Sequence, residues 1–251
     1  MNITYRISVF LRAMQDIISV LFFVILWVGI FKQKSVIDGF NLNAIITYYI
    51  LVKVIDQLYT FKPAKDINDD IISGDLGNYL SKPVNYFNYM MNFGLGRRLA
   101  RNTISLFIVL LAFIIFPNYL VLPSSIFNVV VFIIFAIFSW LLYYELAFFI
   151  GTLSFWFSET ANIRSGIERM MGLLGGLWIP LAMFPQWIQN GLNLLPFKYL
   201  YSNLVLAYQG KLATVDVQNG LVVEAIWVIS LFILCKMMWR KGIKKYETFG
   251  K

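Results

Sequence analysis

Long apolar segments separated by short polar connections run along almost the whole chain. A helix needs roughly 20 mostly apolar residues to cross ~30 Å of hydrocarbon, and six segments approach or exceed that length. They cover approximately residues 10–31, 42–59, 103–122, 126–157, 167–184 and 221–239. The pattern predicts an all-α membrane protein with six transmembrane helices, formed by one membrane domain over residues 1–251.

The fifth segment is short and rich in glycine. Gly172 and Gly176 form a pair of small residues four apart, which allows two helices to approach closely, for example across a subunit interface. An alternative is a flexible or kinked span ahead of Pro180. The sequence leaves both interpretations open.

Positive charges orient the predicted helices, because cytoplasmic loops of membrane proteins are enriched in lysine and arginine. The richest connection, residues 60–102, carries Lys62, Lys65, Lys82, Arg97, Arg98 and Arg101. The tail after the last segment carries Arg240, Lys241, Lys244, Lys245 and Lys251. Both regions lie on the cytoplasmic side if the N- and C-termini are both cytoplasmic, and this is the predicted topology.

A polar stretch after the second segment predicts a short amphipathic helix on the cytoplasmic side. Isoleucine and leucine recur near helical spacing from Ile67 to Leu76, with acidic residues between them. Gly74 allows a sharp exit from the helix, and Pro83 cannot continue one. A second amphipathic run follows over residues 85–94.

Composition excludes several kinds of chemistry. The chain is 59% hydrophobic and 14% charged, with one cysteine and no histidine. It lacks the P-loop motif and the common hydrolase and metalloprotease motifs. We therefore predict no catalytic, cofactor-binding or metal-binding residue. The net charge of +8 fits anionic lipid in a membrane protein better than nucleic acid.

The aspartates of the polar stretch suggest a Mg²⁺ site only weakly. Asp69 and Asp70 are explained as well by a favourable interaction with the dipole of a short helix.

Charged residues inside the predicted spans are costly and usually face protein or a water-filled cavity. Lys53 and Asp56 lie in the second segment, and Glu145 lies in the fourth. They either line a path or gate, or form ion pairs that hold helices together. By depth, Lys53 and Glu145 are candidates for such a pair.

The segment over residues 184–201 predicts short re-entrant or interfacial helices on the outer side, with an ordinary interfacial loop as the alternative. It combines prolines with aromatic residues of the type that lies at membrane–water interfaces. The site residues predicted there are Pro185, Trp187, Pro196, Phe197 and Tyr199.

These features together resemble the permease subunits of type-2 ABC exporters. The stretch IISGDLGNYLSKPVNYF over residues 71–87 is similar to a family pattern of isoleucine, glycine, leucine and Pro-Val after the second span. The outer segment and the tail GIKKYETFGK over residues 242–251 add two looser likenesses. Asn203-Leu204 departs from the family, in which many members have a proline at this place.

The resemblance implies that two permeases, identical or different, form a dimer around the translocation path in a bacterial cell membrane. It also implies that separate ABC ATPase subunits dock on the cytoplasmic side and bind the ATP and Mg²⁺. The loop after the second span is then the coupling helix that contacts the ATPase. The docking residues predicted by this likeness are Ile67, Asp69, Asp70, Ile71, Gly74, Asp75, Leu76, Tyr79, Leu80 and Pro83.

Two other classes of function compete with the exporter. A secondary transporter or channel driven by an ion gradient requires functional carboxylates within the membrane, for which Asp56 and Glu145 are the candidates. An intramembrane enzyme is disfavoured, because the sequence offers no histidine and no convincing nucleophile.

Overall fold

The structure is a computed structural model that describes residues 3–99, 119–157 and 160–249. Within these ranges the regular structure is helical, apart from one isolated bridge between Ile37 and Phe40. The helices are α1 (Ile3–Phe31), α2 (Leu42–Asp56), α3 (Lys62–Ser73), α4 (Leu76–Leu80), α5 (86–99), α6 (Ile126–Thr152), α7 (Ala161–Gly175), α8 (Gln186–Leu192), α9 (Ser202–Tyr208) and α10 (Thr214–Phe249). Short 3₁₀ turns cover Leu153–Phe155, Leu181–Met183 and Pro196–Tyr199. The all-helical prediction is confirmed for the described residues.

Helices α6 and α10 are long and apolar enough to cross a membrane. The qualifying segments are Ile126–Phe155 and Thr214–Glu247, and a shorter apolar stretch covers Ile17–Phe31 in α1. At 1.5 Å per residue, the 27 residues of α6 extend about 40 Å. Only 28% and 17% of the residues in the two apolar windows are buried within the protein. Most of their surface is therefore free to face lipid.

Helix α6 lies at the centre of the packing and contacts α3, α9 and α10. Its first turn is capped by Ser125, whose side chain accepts a hydrogen bond from the Asn128 amide. The largest hydrophobic cluster packs α6 residues such as Phe135 and Leu142 against Tyr48 of α2 and Leu204 of α9. A second cluster packs α3, α4 and α5 against the C-terminal half of α6 and against α10.

Helix α2 is buried on almost every side. The Asn41 side chain caps its start by accepting a hydrogen bond from the Ala44 amide at 2.9 Å. Its helical part ends at Asp56, so the 15-residue helix is shorter than the predicted segment 42–59. The predicted third segment, 103–122, lies outside the described residues up to position 118.

The predicted fifth segment, 167–184, does not form one continuous helix. Helix α7 ends at Gly175, and Gly176 follows with a φ of +94°. The Leu177 amide then donates to the Gly172 carbonyl oxygen at 2.8 Å, which closes a Schellman-type cap. A left-handed glycine satisfies the last carbonyls of the helix and turns the chain away from its axis.

Candidate coupling site

Helices α3 and α4 form a helix–turn–helix unit beside the ends of α6 and α10. Pro63 stands in the first turn of α3, where a missing amide hydrogen costs nothing. Gly74 ends α3 in the left-handed conformation, with a φ of +85°. The chain then turns directly into α4. The predicted short helix with a glycine exit is present, but as two helices.

Close contact with α6 holds α3 in place. Ile67 of α3 is fully buried and packs against Gly151 of α6. A Cβ atom added at Gly151 would lie 2.9 Å from Ile67 Cβ and 3.1 Å from Ala64 Cα. Because real side chains do not approach so closely, only glycine at position 151 allows this helix–helix distance.

The long C-terminal helix α10 holds the other end of the unit. The Tyr246 hydroxyl donates a hydrogen bond to the Gly74 carbonyl oxygen at 2.9 Å. Gly242 lies so close to the Phe155 ring that an added Cβ would overlap it. The turn between α3 and α4 is therefore tied to the basic end of α10.

Three predicted docking residues face the interior, and their assignment as direct contacts with a partner is corrected. Ile67 and Leu76 are completely buried and Ile71 is 9% exposed, all within the cluster shared with α6 and α10. They bury the apolar side of the unit against its own chain, so they position the unit and leave little surface for another protein.

The exposed side of the unit carries two of the predicted docking residues, Asp69 and Asp75, and two residues outside that prediction, Ile72 and Asn78. Asp69, Ile72, Asp75 and Asn78 are all exposed, and we call this set the docking face. Ile72 is 58% exposed although it is the most apolar member. The prediction missed it, because alternation along the sequence does not show which of the adjacent residues Ile71 and Ile72 points outward.

The other predicted docking residues lie around the docking face. Gly74 is in the exposed turn, and Leu80 and Pro83 are exposed beyond it, with Leu80 38% exposed. Tyr79 is half-buried, and its ring packs against Tyr86 and Tyr89 of α5.

Asp70 connects the unit to α5. The Tyr86 hydroxyl donates a hydrogen bond to Asp70 Oδ2 at 2.6 Å, and the Tyr86 ring stacks on Trp239 of α10 with 4.7 Å between ring centroids. Burial raises the pKa of the Asp70 carboxyl above its ordinary value; neighbouring carboxylates act in the same direction, while the Tyr86 hydrogen bond acts against them. The ionised form of Asp70 is therefore disfavoured, and the Tyr86 hydroxyl holds the carboxyl in place by donating a hydrogen bond.

Ion pairs lie along α3. Asp66 accepts from Lys62 at 3.0 Å and from Arg97 of α5 at 2.7 Å. Lys65 and Asp69 form a looser pair, 3.6 Å apart, with both side chains more than half exposed. The half-buried Asp66–Arg97 pair links two helices, whereas the exposed pair contributes little to stability.

A charged cavity of about 430 Å³ opens where α2 ends and α3 begins. Its lining comes from α2, α3, α5, α6 and α7 and combines basic, acidic and aromatic residues. The charged members are Asp56, Lys62, Lys65, Arg97, Arg98, Arg164 and Glu168. Arg98 also donates to the carbonyl oxygens of Asp56 and Gln57, at 2.9 and 3.1 Å, and so satisfies the end of α2.

The predicted charged residues within the spans have different environments. Asp56 Oδ1 accepts a hydrogen bond from the Tyr201 hydroxyl at 2.8 Å. Lys53 is half-buried one turn earlier on α2. Glu145 is 2% exposed, and its Oε2 atom has no hydrogen-bond partner among the described residues. The pairing of Lys53 with Glu145 stays a prediction.

Sequence reasoning missed Glu224, which lies within the predicted sixth segment. Its side chain is fully buried, and neither carboxyl oxygen has a hydrogen-bond partner in the part of the chain that the structure describes. A complete scan for charged residues within residues 221–239 would have found it, since the sequence alone shows its position.

The predicted outer segment forms short helices, but its aromatic residues do not act as one set. Trp187 in α8 is 75% exposed, whereas Pro196 and Tyr199 are buried in the 3₁₀ turn and Phe197 is half-buried. Pro185 precedes the first residue of α8. Trp187 is therefore the exposed aromatic residue of this set, and it is free to contact a membrane interface.

The glycines of α7 pack within the chain. The Tyr48 hydroxyl donates to the Gly176 carbonyl oxygen at 2.6 Å, and a Cβ at Gly175 would lie 3.0 Å from the Phe197 carbonyl oxygen. The chain turns at Gly176, ahead of Pro180. A role of Gly172 and Gly176 in a subunit interface stays a prediction.

The architecture is that of a helical membrane protein with a helix–turn–helix unit packed at the ends of its long helices. A family model described as ABC-2 family transporter protein matches residues 17–250. The chain belongs to the ABC-2 family of transporter proteins and is a membrane-integral component of an ABC transporter. No curated protein and no solved structure matches it.

Proposed function

We propose that the chain is the transmembrane subunit of an ATP-driven exporter in a bacterial cell membrane. It forms the translocation path with a second permease and docks separate ATPase subunits through the docking face, Asp69, Ile72, Asp75 and Asn78. The observation that carries the proposal is the α3–α4 unit: a pair of short helices with a buried apolar side and an exposed side of mixed polarity.

The attachment of the unit supports a role in transmitting motion. The Ile67–Gly151 contact joins it to α6, and the Tyr246–Gly74 hydrogen bond joins it to α10. Both of these helices are long enough to cross the membrane. An ATPase that moves α3 and α4 thus acts on two membrane-crossing helices through packed atoms rather than through a flexible loop.

We propose that the charged cavity, which lies next to the unit, is the entrance for the substrate. Lys62 and Lys65 belong to α3 itself, and Arg164 and Glu168 come from α7. The same helix that contacts the ATPase therefore forms part of a polar cavity at the predicted cytoplasmic side. Movement of α3 changes the shape of that cavity.

A single substitution tests the docking role. Ile72→Asp, expressed with an ATPase encoded by a neighbouring gene, is expected to reduce ATPase co-purification at least tenfold. The reason is that burying an isoleucine at an interface contributes about 2 kcal/mol, and 1.4 kcal/mol corresponds to a factor of about ten in binding. Membrane insertion is expected to be unchanged, because Ile72 is exposed.

The matched control is Val36→Asp. Val36 is as exposed as Ile72, at 57% compared with 58%, but lies in the connection between α1 and α2. We expect it to leave co-purification unchanged. Equal ATPase recovery with Ile72→Asp and with the unmodified chain would reject the docking face.

A secondary transporter is the second candidate, and the buried carboxyls of Glu145 and Glu224 favour it. Such groups are used to carry protons or cations across membranes. Reconstituted vesicles distinguish the two. Transport that needs an ion gradient and proceeds without ATP or an ATPase would replace the exporter by this alternative.

A further inference from the structure

A second cavity of about 420 Å³ opens between α4, α5, α6 and α10, and it shares no lining residue with the charged cavity. We call it the lipid groove. Aromatic and aliphatic side chains dominate its lining, together with two basic and two amide side chains. Its residues are Leu80, Val84, Asn85, Tyr86, Phe87, Asn88, Phe148, Phe232, Cys235, Lys236, Trp239 and Arg240.

The groove has the chemical profile of an amphiphile site. Lys236 and Arg240 are one turn apart on α10, and the lining contains no acidic residue to neutralise them. Phe232 lies one turn before Lys236 and is 44% exposed. A positively charged end thus continues into an aromatic surface along a single helix face.

The position of the groove selects a lipid over a soluble anion. Lys236 and Arg240 lie toward the end of the apolar segment Thr214–Glu247, immediately before a further run of basic residues. Positive residues at the end of a membrane-crossing helix lie at the level of the cytoplasmic headgroups. Both side chains are exposed and therefore accessible to a headgroup at this level.

We propose that the lipid groove binds an anionic phospholipid of the cytoplasmic leaflet. Its phosphate lies between Lys236 and Arg240, and an acyl chain lies along Phe232. Basic pockets between helices on the cytoplasmic side have the charge that such headgroups require. The aromatic walls provide the apolar surface that an acyl chain buries.

The groove shares a wall with the coupling site. Tyr86 and Trp239 line it and stack on each other, and the Tyr86 hydroxyl holds Asp70 of α3. A bound lipid covers this stack and stabilises the arrangement that fixes α3. Lipid-dependent coupling is a consequence that rests on the proposed function, whereas lipid binding itself does not.

Lipid retention by the purified full chain tests the binding. After removal of co-purified lipid, native mass spectrometry measures the uptake of phosphatidylglycerol and of phosphatidylcholine with the same acyl chains. We expect at least tenfold preference for phosphatidylglycerol, lost in Arg240→Gln and kept in Lys241→Gln. These adjacent residues carry the same charge, but only Arg240 lines the groove.

A steric pair provides an independent check. Asn88 lines the groove and Asn92, one turn further along α5, does not; both are exposed. Asn88→Trp is expected to fill the groove and abolish the lipid preference, and Asn92→Trp to keep it. Three results would overturn the proposal. The unmodified chain could take up the two lipids equally, or Arg240→Gln and Lys241→Gln could take up phosphatidylglycerol equally. Inorganic phosphate could also bind as tightly as phosphatidylglycerol.

The functional consequence has its own measurement. ATP turnover is measured in vesicles that contain the ATPase complex. We expect turnover to be at least twofold higher with phosphatidylglycerol than with phosphatidylcholine alone. This increase is expected to be smaller for Arg240→Gln than for Lys241→Gln. Absence of an ATPase from the purified protein would reject the proposed function, while the lipid-uptake result would still stand. An intact, active complex whose chain takes up no anionic lipid would reject the lipid groove alone.

Discussion

The hydroxyl of Tyr246 donates a hydrogen bond to the carbonyl oxygen of Gly74 over 2.9 Å. These residues are 172 positions apart, and the bond joins the end of α10 to the turn between α3 and α4. Gly74 needs its left-handed conformation to present this carbonyl group at the end of α3. A single backbone acceptor thus links the proposed ATPase contact to a membrane-crossing helix.

Removal of this hydroxyl is expected to weaken coupling more than folding. Tyr246→Phe keeps the ring, which packs against Phe155, and deletes one exposed hydrogen bond contributing about 1 kcal/mol. We expect an intact complex with lower transport per ATP hydrolysed, measured in reconstituted vesicles. Tyr119→Phe, an exposed tyrosine outside the unit, is the control. An unchanged transport-to-hydrolysis ratio in Tyr246→Phe would argue against this link.

Gly151→Ala is expected to displace α3 from α6. The added Cβ would lie 2.9 Å from Ile67 and 3.1 Å from the backbone of Ala64, so relief requires movement of a helix rather than of a side chain. Overpacking of this kind costs about 1–3 kcal/mol. We expect a lower melting temperature and reduced ATPase co-purification.

Gly166→Ala is the matched helical control for Gly151→Ala. Nothing lies within 4 Å of a Cβ at position 166, on α7. Alanine there is expected to be neutral or to stabilise the helix by up to ~1 kcal/mol. If both variants melt alike, the close contact between Gly151 and Ile67 does not limit stability.

Asp70 makes stability depend on pH in the acidic range. Its folded-state pKa lies above the ordinary value of an aspartate, so the folded protein holds this proton more tightly than the unfolded chain does. Its contribution to stability is present below the unfolded pKa and is lost as the pH rises through the folded pKa. Asp70→Asn cannot ionise, yet its side-chain oxygen still accepts from Tyr86.

The measurement is the melting temperature as a function of pH for Asp70→Asn and for the unmodified protein. We expect the unmodified protein to lose stability relative to the variant as the pH rises from 3.8 toward neutrality. Asp75→Asn, an exposed aspartate between α3 and α4, controls for loss of a negative charge. Parallel profiles for Asp70→Asn and the unmodified protein would contradict the linkage.

Glu224→Met is expected to stabilise the fold. Both carboxyl oxygens of Glu224 are buried without a hydrogen-bond partner in the described residues, and an unsatisfied buried polar group costs about 1–3 kcal/mol. Methionine has a similar volume and no such cost. Thermal unfolding in detergent and ATP-driven transport are the two readouts, with Glu145→Met as the companion variant.

A higher melting temperature with retained transport would show that the Glu224 carboxyl is not needed for transport. A correctly folded Glu224→Met protein that no longer transports would instead place this carboxyl in the transport path. The first outcome favours an exporter in which Glu224 takes no part in transport. The second favours a secondary transporter driven by an ion gradient.

The sequence alone determined the elements whose causes are local. Gly74 marks the end of α3 through backbone geometry, which needs no neighbour. The apolar runs that became α6 and α10 were visible because length and hydropathy decide whether a helix suits a bilayer. The family likeness suggested by residues 71–87 agrees with the ABC-2 transporter family that matches residues 17–250.

Only the tertiary structure decided which surfaces of these elements are used within the chain. Ile71 and Ile72 are alike in the sequence, but one is buried against its own protein and the other is exposed. An apolar residue loses the same contact with water whether it is covered by its own chain, a partner or lipid, so a periodic pattern does not identify the covering surface. The break at Gly176 and the burial of Glu224 likewise depend on Tyr48 and on neighbouring helices that are distant along the sequence.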